Sequence, residues 1–266
     1  MRAARVTEQF VDTGRGRLFA KRWRAGDAVP ATAPIVLFHD SLGCVELWRD
    51  FPERLALATG RDVLAYDRLG FGRSDPHPGR LSRDFIHDEA RAAFVSVRQQ
   101  LDIRAFVAFG HSVGGGMAAG CAAAHAADCV ALITESSQAF VEDRTVQGIR
   151  DAQQAFARPG QRDRLAKYHG DKAAWVLSAW IDSWLGPDFA GWTLDDDLSR
   201  VRCPALVLHG DLDEYGSTRH PARIAALVRM RATLHVLRDT GHVPHRERAE
   251  FVLDAVGRWL ADGGIG

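Results

Sequence analysis

The feature that most constrains the fold of this 266-residue chain is a series of short apolar runs that alternate with helical segments. Apolar runs of four or five residues are typical of strands that are buried on both faces, as in a parallel sheet. The predicted buried strands are residues 35–38, 63–66, 105–109, 130–133 and 205–208, and the predicted helices are 46–58, 85–101, 114–126, 218–228 and 246–260. This alternation predicts an open, mostly parallel sheet flanked by helices.

Three further segments complete the predicted organisation. Residues 6–11 and 18–24 flank a glycine-containing turn and predict a hairpin, and residues 233–237 predict a last strand. A structureless loop of about 70 residues before the strand at 205 would be improbable, so we expect an inserted helical cap there. The expected division is a core domain, 1–135 and 201–266, with a cap at 136–200.

Charge and composition exclude several classes of partner. The chain has 34 basic and 34 acidic residues, so its formal net charge of zero gives no general attraction to nucleic acids or anionic membranes. The first ten residues lack the apolar run of a secretory signal, and no stretch of about 18 apolar residues predicts a membrane span. Four cysteines without a C-x-x-C pair favour free thiols. We therefore expect a cytoplasmic protein with a small-molecule substrate, and its oligomeric state stays open.

A candidate nucleophile lies in the G-x-S-x-G motif at residues 110–114. The motif follows an apolar strand and precedes a helix of small residues, which is the setting that a nucleophilic serine needs on a sharp strand-to-helix turn. The alternative is that Ser112 only caps the helix, because serine is a favoured N-cap residue. The combination of strand, turn and helix favours Ser112 as the nucleophile.

A serine nucleophile needs a general base, and the base needs an orienting carboxylate. In this fold class the order along the chain is serine, acid, histidine, which favours His242 in the loop after the last predicted strand. His245 is the rival base. The two histidines do not suggest a metal site, because they lie in a Gly/Pro loop without helical zinc-ligand spacing. Four carboxylates stay open as the acid: Asp211, Asp213, Glu214 and Glu135.

Five motifs in this order resemble the α/β-hydrolase superfamily, especially its esterase-like bacterial members. They are residues 37–43 (LFHDSLG), 66–74 (YDRLGFGRS), 110–114 (GHSVG), 209–213 (HGDLD) and 241–245 (GHVPH). The resemblance implies Asp213 as the triad acid. It also implies an oxyanion hole formed by the backbone N–H groups of Ser41 and Val113.

One position departs from the family pattern, in which glycine commonly follows the motif histidine. Here Asp40 follows His39. A carboxylate close to the oxyanion hole would disfavour an anionic substrate. The alternative, which we favour from the sequence, is that Asp40 turns outward and bonds to its own loop.

The expected reaction is acyl transfer through Ser112, without a metal or an organic cofactor, on a small or medium, mostly uncharged carboxylic ester, lactone or thioester. Trp180 and Trp184 are four residues apart and would share a helix face, where they either line the substrate pocket or fasten the cap to the core. The same triad would also serve carbon–carbon bond hydrolysis or a cofactor-free perhydrolase or haloperoxidase. A ligand receptor is disfavoured because all three triad members are present. Dehalogenase and epoxide hydrolase activities are disfavoured as well, because similar proteins with those activities have an aspartate in place of the serine at this turn.

Overall fold

An eight-stranded sheet forms the centre of the computed structural model, which describes residues 3–26 and 32–265. The strands are β1 (Arg5–Asp12), β2 (Arg17–Arg24), β3 (Ile35–Phe38), β4 (Val63–Tyr66), β5 (Phe106–His111), β6 (Cys129–Glu135), β7 (Ala205–Gly210) and β8 (Ala232–Leu237). Their spatial order is β1-β2-β4-β3-β5-β6-β7-β8. β1 and β2 form the predicted antiparallel hairpin, β2 pairs antiparallel with β4, and the other neighbours are parallel.

The predicted α/β-hydrolase fold is confirmed, and so are the eight predicted strands. The strand ends extend up to two residues beyond the predicted ones. On β5 and β6, Gly110 and three polar residues continue the apolar runs, and Gly110 pairs with Thr134 and His111 with Glu135. β5 and β6 therefore end side by side at one edge of the sheet, with Ser112 directly after the last residue of β5.

Eleven α-helices are present among the described residues. They are α1 (Phe51–Thr59), α2 (Phe85–Asp88), α3 (Phe94–Gln100), α4 (Val113–Ala124), α5 (Asp143–Phe156), α6 (Gln161–His169), α7 (Ala173–Trp184), α8 (Asp195–Arg200), α9 (Arg219–Leu227), α10 (Pro244–Glu247) and α11 (Ala249–Asp262).

Three predicted helices are interrupted, so those predictions were wrong in detail. The segment 46–58 divides into a 3₁₀ turn, Val45–Trp48, and α1, because Pro52 is tolerated in the first turn of a helix but not in its interior. A π-helical turn, Glu89–Ala93, separates α2 from α3 and contains the carboxylate that Tyr66 Oη contacts at 2.5 Å. Arg248 separates α10 from α11 with an extended φ of −135°.

Two apolar layers cover the two faces of the sheet, as the buried strands require. On β3, Val36 and Phe38 belong to one layer and Ile35 and Leu37 belong to the other, which is the alternation of a strand with two buried faces. Helix α4 packs in the first layer, and α1 and α11 pack in the second. No helix within the ranges that the structure describes is long and apolar enough to span a membrane. The predicted cytoplasmic location stays a prediction.

Residues 136–200, called the β6–β7 segment here, contain α5 to α8 and two short 3₁₀ turns. The segment contacts the loop that follows β4. Lys172 Nζ donates to the carbonyls of Gly72 and Ser74 at 2.7 and 2.6 Å, and the Gly72 N–H donates to His169 Nδ1 at 2.9 Å. These contacts hold helices above the carboxyl edge of the sheet. The division into core and cap stays a proposal, and residues 1–2, 27–31 and 266 of the predicted core lie outside the described part.

Candidate active site

Ser112 lies on a sharp turn between β5 and α4, as the motif predicts. Its backbone has φ 56° and ψ −126°, a conformation that side-chain-bearing residues rarely adopt and that is often found at functional sites. Its N–H donates to the Glu135 carbonyl at 2.9 Å, which ties the turn to the end of β6. Its side chain makes no capping hydrogen bond, so the alternative reading of Ser112 as a helix cap has no support.

The two motif glycines allow backbone segments to approach each other closely. A Cβ at Gly110 would collide with the Gly114 carbonyl, and a Cβ at Gly114 would collide with the Phe38 carbonyl at the end of β3. Both collisions are with backbone atoms, which cannot rotate away as a side chain can. The turn therefore requires glycine at these two positions for steric reasons.

Gly114→Ala is expected to lower the free energy of unfolding by about 1–3 kcal/mol, because the new Cβ would push the start of α4 away from the Phe38 carbonyl. Urea denaturation followed by circular dichroism measures this. Gly191→Ala is the matched control, because a Cβ there meets no atom within 4 Å. Equal stability of both variants would mean that β3 and α4 can separate at low cost, which contradicts a rigid turn.

His242 and Asp213 form a hydrogen-bonded pair. Both carboxylate oxygens of Asp213 lie 2.9 Å from His242 Nδ1, and Asp213 Oδ1 also accepts the Tyr215 N–H at 2.8 Å. Burial raises the pKa of Asp213, but His242, His209 and the Tyr215 N–H outweigh it and hold the pKa below its ordinary value. The carboxylate is therefore ionised and orients the imidazole, and His242 Nε2 has no recorded hydrogen bond to any residue that the structure describes.

The other candidate carboxylates have different positions. Asp211 and Glu214 are exposed, and Glu135 is fully buried with its Oε2 2.5 Å from His245 Nδ1. His245 is the second residue of α10 and is buried, so it is not placed as a base for Ser112. Of the four carboxylates considered, Asp213 is the one that contacts His242.

Ser112 and His242 line the same cavity of about 140 Å³. The structure records no hydrogen bond between the Ser112 hydroxyl and His242; in unliganded sites such bonds are often long and tighten when substrate binds. Trp180 and Trp184, on α7, also line this cavity. Trp180 also packs edge-on against Tyr215 of the predicted core, with ring centroids 5.8 Å apart, so the contacts are compatible with both sequence alternatives and the choice between them stays a prediction.

The two expected oxyanion donors belong to the residue after Ser112 and to a residue that lines the same cavity. Val113 is the first residue of α4, so its N–H has no partner within the helix. Ser41 lines the cavity, and its N–H makes no hydrogen bond within the part of the chain that the structure describes. Neither backbone N–H is used by a recorded hydrogen bond among the described residues, and their catalytic role stays a prediction.

The expectation that Asp40 turns outward was wrong in part. Asp40 Oδ1 accepts the Leu42 N–H of its own loop at 2.7 Å, but the side chain also lines the cavity, and Oδ2 lies 3.5 Å from His111 Nδ1. The carboxylate also lies close to Gly43, where a Cβ would come within 2.9 Å of Asp40 Oδ2. Burial raises the pKa of Asp40, but His111 and the Leu42 N–H hold it below its ordinary value.

Sequence reasoning missed a buried cluster below the nucleophile. One ring nitrogen each of His111 and His245 and one carboxylate oxygen of Glu135 all lie within 4.8 Å of one another. His111 Nε2 is 2.8 Å from the His242 carbonyl, and His245 Nδ1 is occupied by Glu135, so these ring nitrogens already have partners. The three side chains therefore form a hydrogen-bonded cluster of charged and polar groups, and these ring nitrogens are not open for a metal ion. The motif marks position 111 as variable, so no sequence signal identified it.

Comparison with known proteins gives a consistent result. A family model described as the alpha/beta hydrolase family matches residues 35–255. The 2-hydroxymuconate semialdehyde hydrolase of Pseudomonas sp. (strain CF600) is 29% identical over 265 residues, which cover 86% of this chain and 87% of that protein. The human protein Serine hydrolase BPHL is 28% identical over 195 residues, which cover 71% of this chain and 65% of that protein, just under two thirds of its length.

Among solved structures, a thermophilic esterase from Thermogutta terrifontis has a TM-score of 0.73 and 19% sequence identity. The alignment covers 96% of this chain and 98% of that chain. At this identity the likeness concerns the fold.

Proposed function

The chain belongs to the alpha/beta hydrolase family, and we propose that it is a serine hydrolase that cleaves small or medium, mostly uncharged carboxylic esters through an acyl-enzyme on Ser112. The observation that carries this proposal is a cavity lined by both Ser112 and His242, with His242 Nδ1 held by Asp213. A nucleophile, a base and an orienting acid are the groups that acyl transfer needs.

The proposed reaction has two steps. His242 Nε2 takes the proton of the Ser112 hydroxyl as Oγ attacks the ester carbonyl, and the Ser41 and Val113 N–H groups stabilise the oxyanion. The protonated His242 then gives its proton to the leaving alkoxide. Water, deprotonated by His242, attacks the acyl-enzyme and releases the acid and free Ser112.

The character of the cavity supports an uncharged substrate. Its wall is largely apolar, and no lysine or arginine within residues 3–26 and 32–265 lines it. The apolar and aromatic part is formed by Leu42, Ile149, Trp180, Trp184, Tyr215 and Val243. Asp40 adds a carboxylate to this wall, and the described residues of the wall offer a substrate carboxylate no lysine or arginine to pair with. An ester with an apolar acyl or alcohol group fits this wall better than an anion does.

Carbon–carbon bond hydrolysis is the second candidate, because the relative from Pseudomonas is named for a semialdehyde substrate and aligns along most of both chains. The name of that substrate denotes a carboxylate. The cavity described above offers no arginine or lysine to such a group, so the ester reading is preferred.

A panel of chromogenic esters of rising acyl length, together with a fluorophosphonate probe, tests the proposal. The probe reacts with an activated serine whatever the natural substrate is, so wild type should be labelled and the Ser112→Ala variant should not. Turnover of the shorter uncharged esters, and slower turnover of esters that carry a carboxylate, is expected. Labelling without turnover of any ester would favour carbon–carbon bond hydrolysis, and absence of labelling would contradict a serine hydrolase.

Trp184→Ala is expected to shift the preference toward longer acyl chains by about tenfold in kcat/KM, because the indole fills space that extra methylenes would occupy. The ratio of kcat/KM for long and short esters measures this. Trp192→Ala is the matched control, because Trp192 packs against Trp184 without lining the cavity. Equal losses on all esters in both variants would mean that these tryptophans serve only to pack the β6–β7 segment.

A further inference from the structure

His111 lies between two loops that carry parts of the proposed machinery. The oxyanion loop, residues 40–42, contains Asp40 and Ser41, and the histidine loop, residues 239–243, contains His242. His111 Nδ1 lies 3.5 Å from Asp40 Oδ2, and His111 Nε2 lies 2.8 Å from the His242 carbonyl. The one imidazole therefore faces a polar atom of each loop, and it is adjacent to Ser112 in the chain.

The two partners determine the protonation state of this ring. A carbonyl oxygen and a carboxylate oxygen both only accept hydrogen bonds, so each ring nitrogen faces an acceptor. A neutral imidazole has one N–H and would turn a lone pair toward one of these oxygens. The doubly protonated ring donates to both, and it places a positive charge beside the Asp40 carboxylate. The 2.8 Å contact with a carbonyl requires an N–H on Nε2, and a carboxylate oxygen 3.5 Å from Nδ1 favours a second proton there.

The groups around His111 balance such a charge. Asp40 faces it from the oxyanion loop and Glu135 from the end of β6, while His242 and His245 lie on the third side with ring centroids each 5.0 Å away. Burial lowers the pKa of His111, but the bond to Asp40 and the charge of Glu135 outweigh it and raise the pKa above its ordinary value. The buried carboxylate of Glu135 and the partly buried carboxylate of Asp40 thus offset one buried imidazolium and any proton on His245.

We propose that His111, as an imidazolium, is a positioning residue that fastens the oxyanion loop to the histidine loop and so sets the distance between the Ser41 N–H and the His242 imidazole. This inference rests on the proposed function, in which both groups act on the same tetrahedral intermediate. Loss of the Nδ1 proton would turn a lone pair toward the Asp40 carboxylate and push the oxyanion loop away. The nucleophile and its base would remain in place, so kcat falls more than KM rises.

This role predicts a pH dependence with a definite sign. The fastening is present below the pKa of His111 and is lost as the pH rises through it, so wild-type kcat has an alkaline fall. In Asp40→Asn the amide can donate to a neutral Nδ1 while its oxygen still accepts the Leu42 N–H. The fastening then no longer needs the second proton, and the alkaline fall disappears.

Two measurements test the proposal. In ¹⁵N-resolved NMR of the imidazole groups at neutral pH, His111 should show two ring N–H signals in wild type and one in Asp40→Asn. The kcat profile should lose its alkaline fall in Asp40→Asn and keep it in Glu214→Gln, a matched control that removes an exposed carboxylate. His111→Ala, which breaks the fastening at every pH, should lower kcat on the order of 10²-fold with little change in KM.

A singly protonated His111 in wild type, or an alkaline fall that persists unchanged in Asp40→Asn, overturns the proposal. Loss of activity on addition of a chelator also overturns it, because the cluster would then hold a metal ion. The NMR result does not depend on any substrate. If the fluorophosphonate probe does not label wild type and His111 still shows two ring N–H signals, the proposed function is wrong, and the proposed fastening of the two loops by His111 is still supported.

Discussion

Replacement of Ser112 by alanine is expected to lower kcat for any hydrolysed ester on the order of 10⁶-fold, because the triad acts as a unit and the acyl-enzyme cannot form without the hydroxyl. Alanine can occupy the same backbone turn at the same cost as serine, since neither has an advantage at a φ of 56°. The variant should therefore unfold at the same temperature as wild type. Steady-state rates with highly purified protein and thermal unfolding measure the two effects.

The matched control for this variant is Ser178→Ala, which removes an exposed hydroxyl on α7 that donates to the Trp175 carbonyl. Its turnover should equal that of wild type. Turnover of Ser112→Ala within tenfold of wild type would remove Ser112 as the nucleophile. A fall in activity that is matched by a fall in unfolding temperature would indicate a structural role for the hydroxyl.

Asp213→Asn is expected to lower kcat about 10⁴-fold, the loss seen when an amide holds a catalytic histidine in the wrong tautomer. Both Asp213 oxygens are 2.9 Å from His242 Nδ1, so an amide nitrogen placed at either position would favour a proton on Nε2. That tautomer cannot take the Ser112 proton.

Glu214→Gln serves as the control, because it removes an adjacent carboxylate that is exposed. Its kcat should equal that of wild type. If Asp213→Asn keeps a wild-type rate while Glu135→Gln is inactive and folded, the acid role would belong to the carboxylate on β6. The prediction for Asp213 would then be wrong.

The sequence predicted much of this molecule because its strongest signals are local. Each buried strand is an apolar run bounded by polar residues, and one G-x-S-x-G pattern specifies a strand, a turn and a helix together. The motif glycines have a steric reason, since a Cβ at Gly110 or Gly114 would meet backbone. His242 was favoured for its place in the chain, and Asp213 followed from the family pattern.

The remaining features depend on contacts between distant segments, which no local pattern specifies. Asp40 faces His111 across 71 positions of sequence, and His245 meets Glu135 across 110 positions. In the sequence, Asp40 is only an aspartate in a loop and His111 is only the variable position of a motif, so neither pattern predicts the contact between them. The interrupted helices have the same origin in part, because Glu89 in the π-helical turn meets Tyr66 on β4.

The left-handed backbone at position 112 determines where the side chain of this residue is placed, whatever its chemical group is. The conformation is held by the Ser112 N–H on the Glu135 carbonyl and by the close approach of Gly110 and Gly114 to neighbouring backbone, and none of these constraints involves the hydroxyl. Any side chain that replaces the serine inherits the same direction into the cavity. Descendants of this chain can thus exchange one reactive group for another in a single substitution, whereas moving the point of attack would require rebuilding the turn.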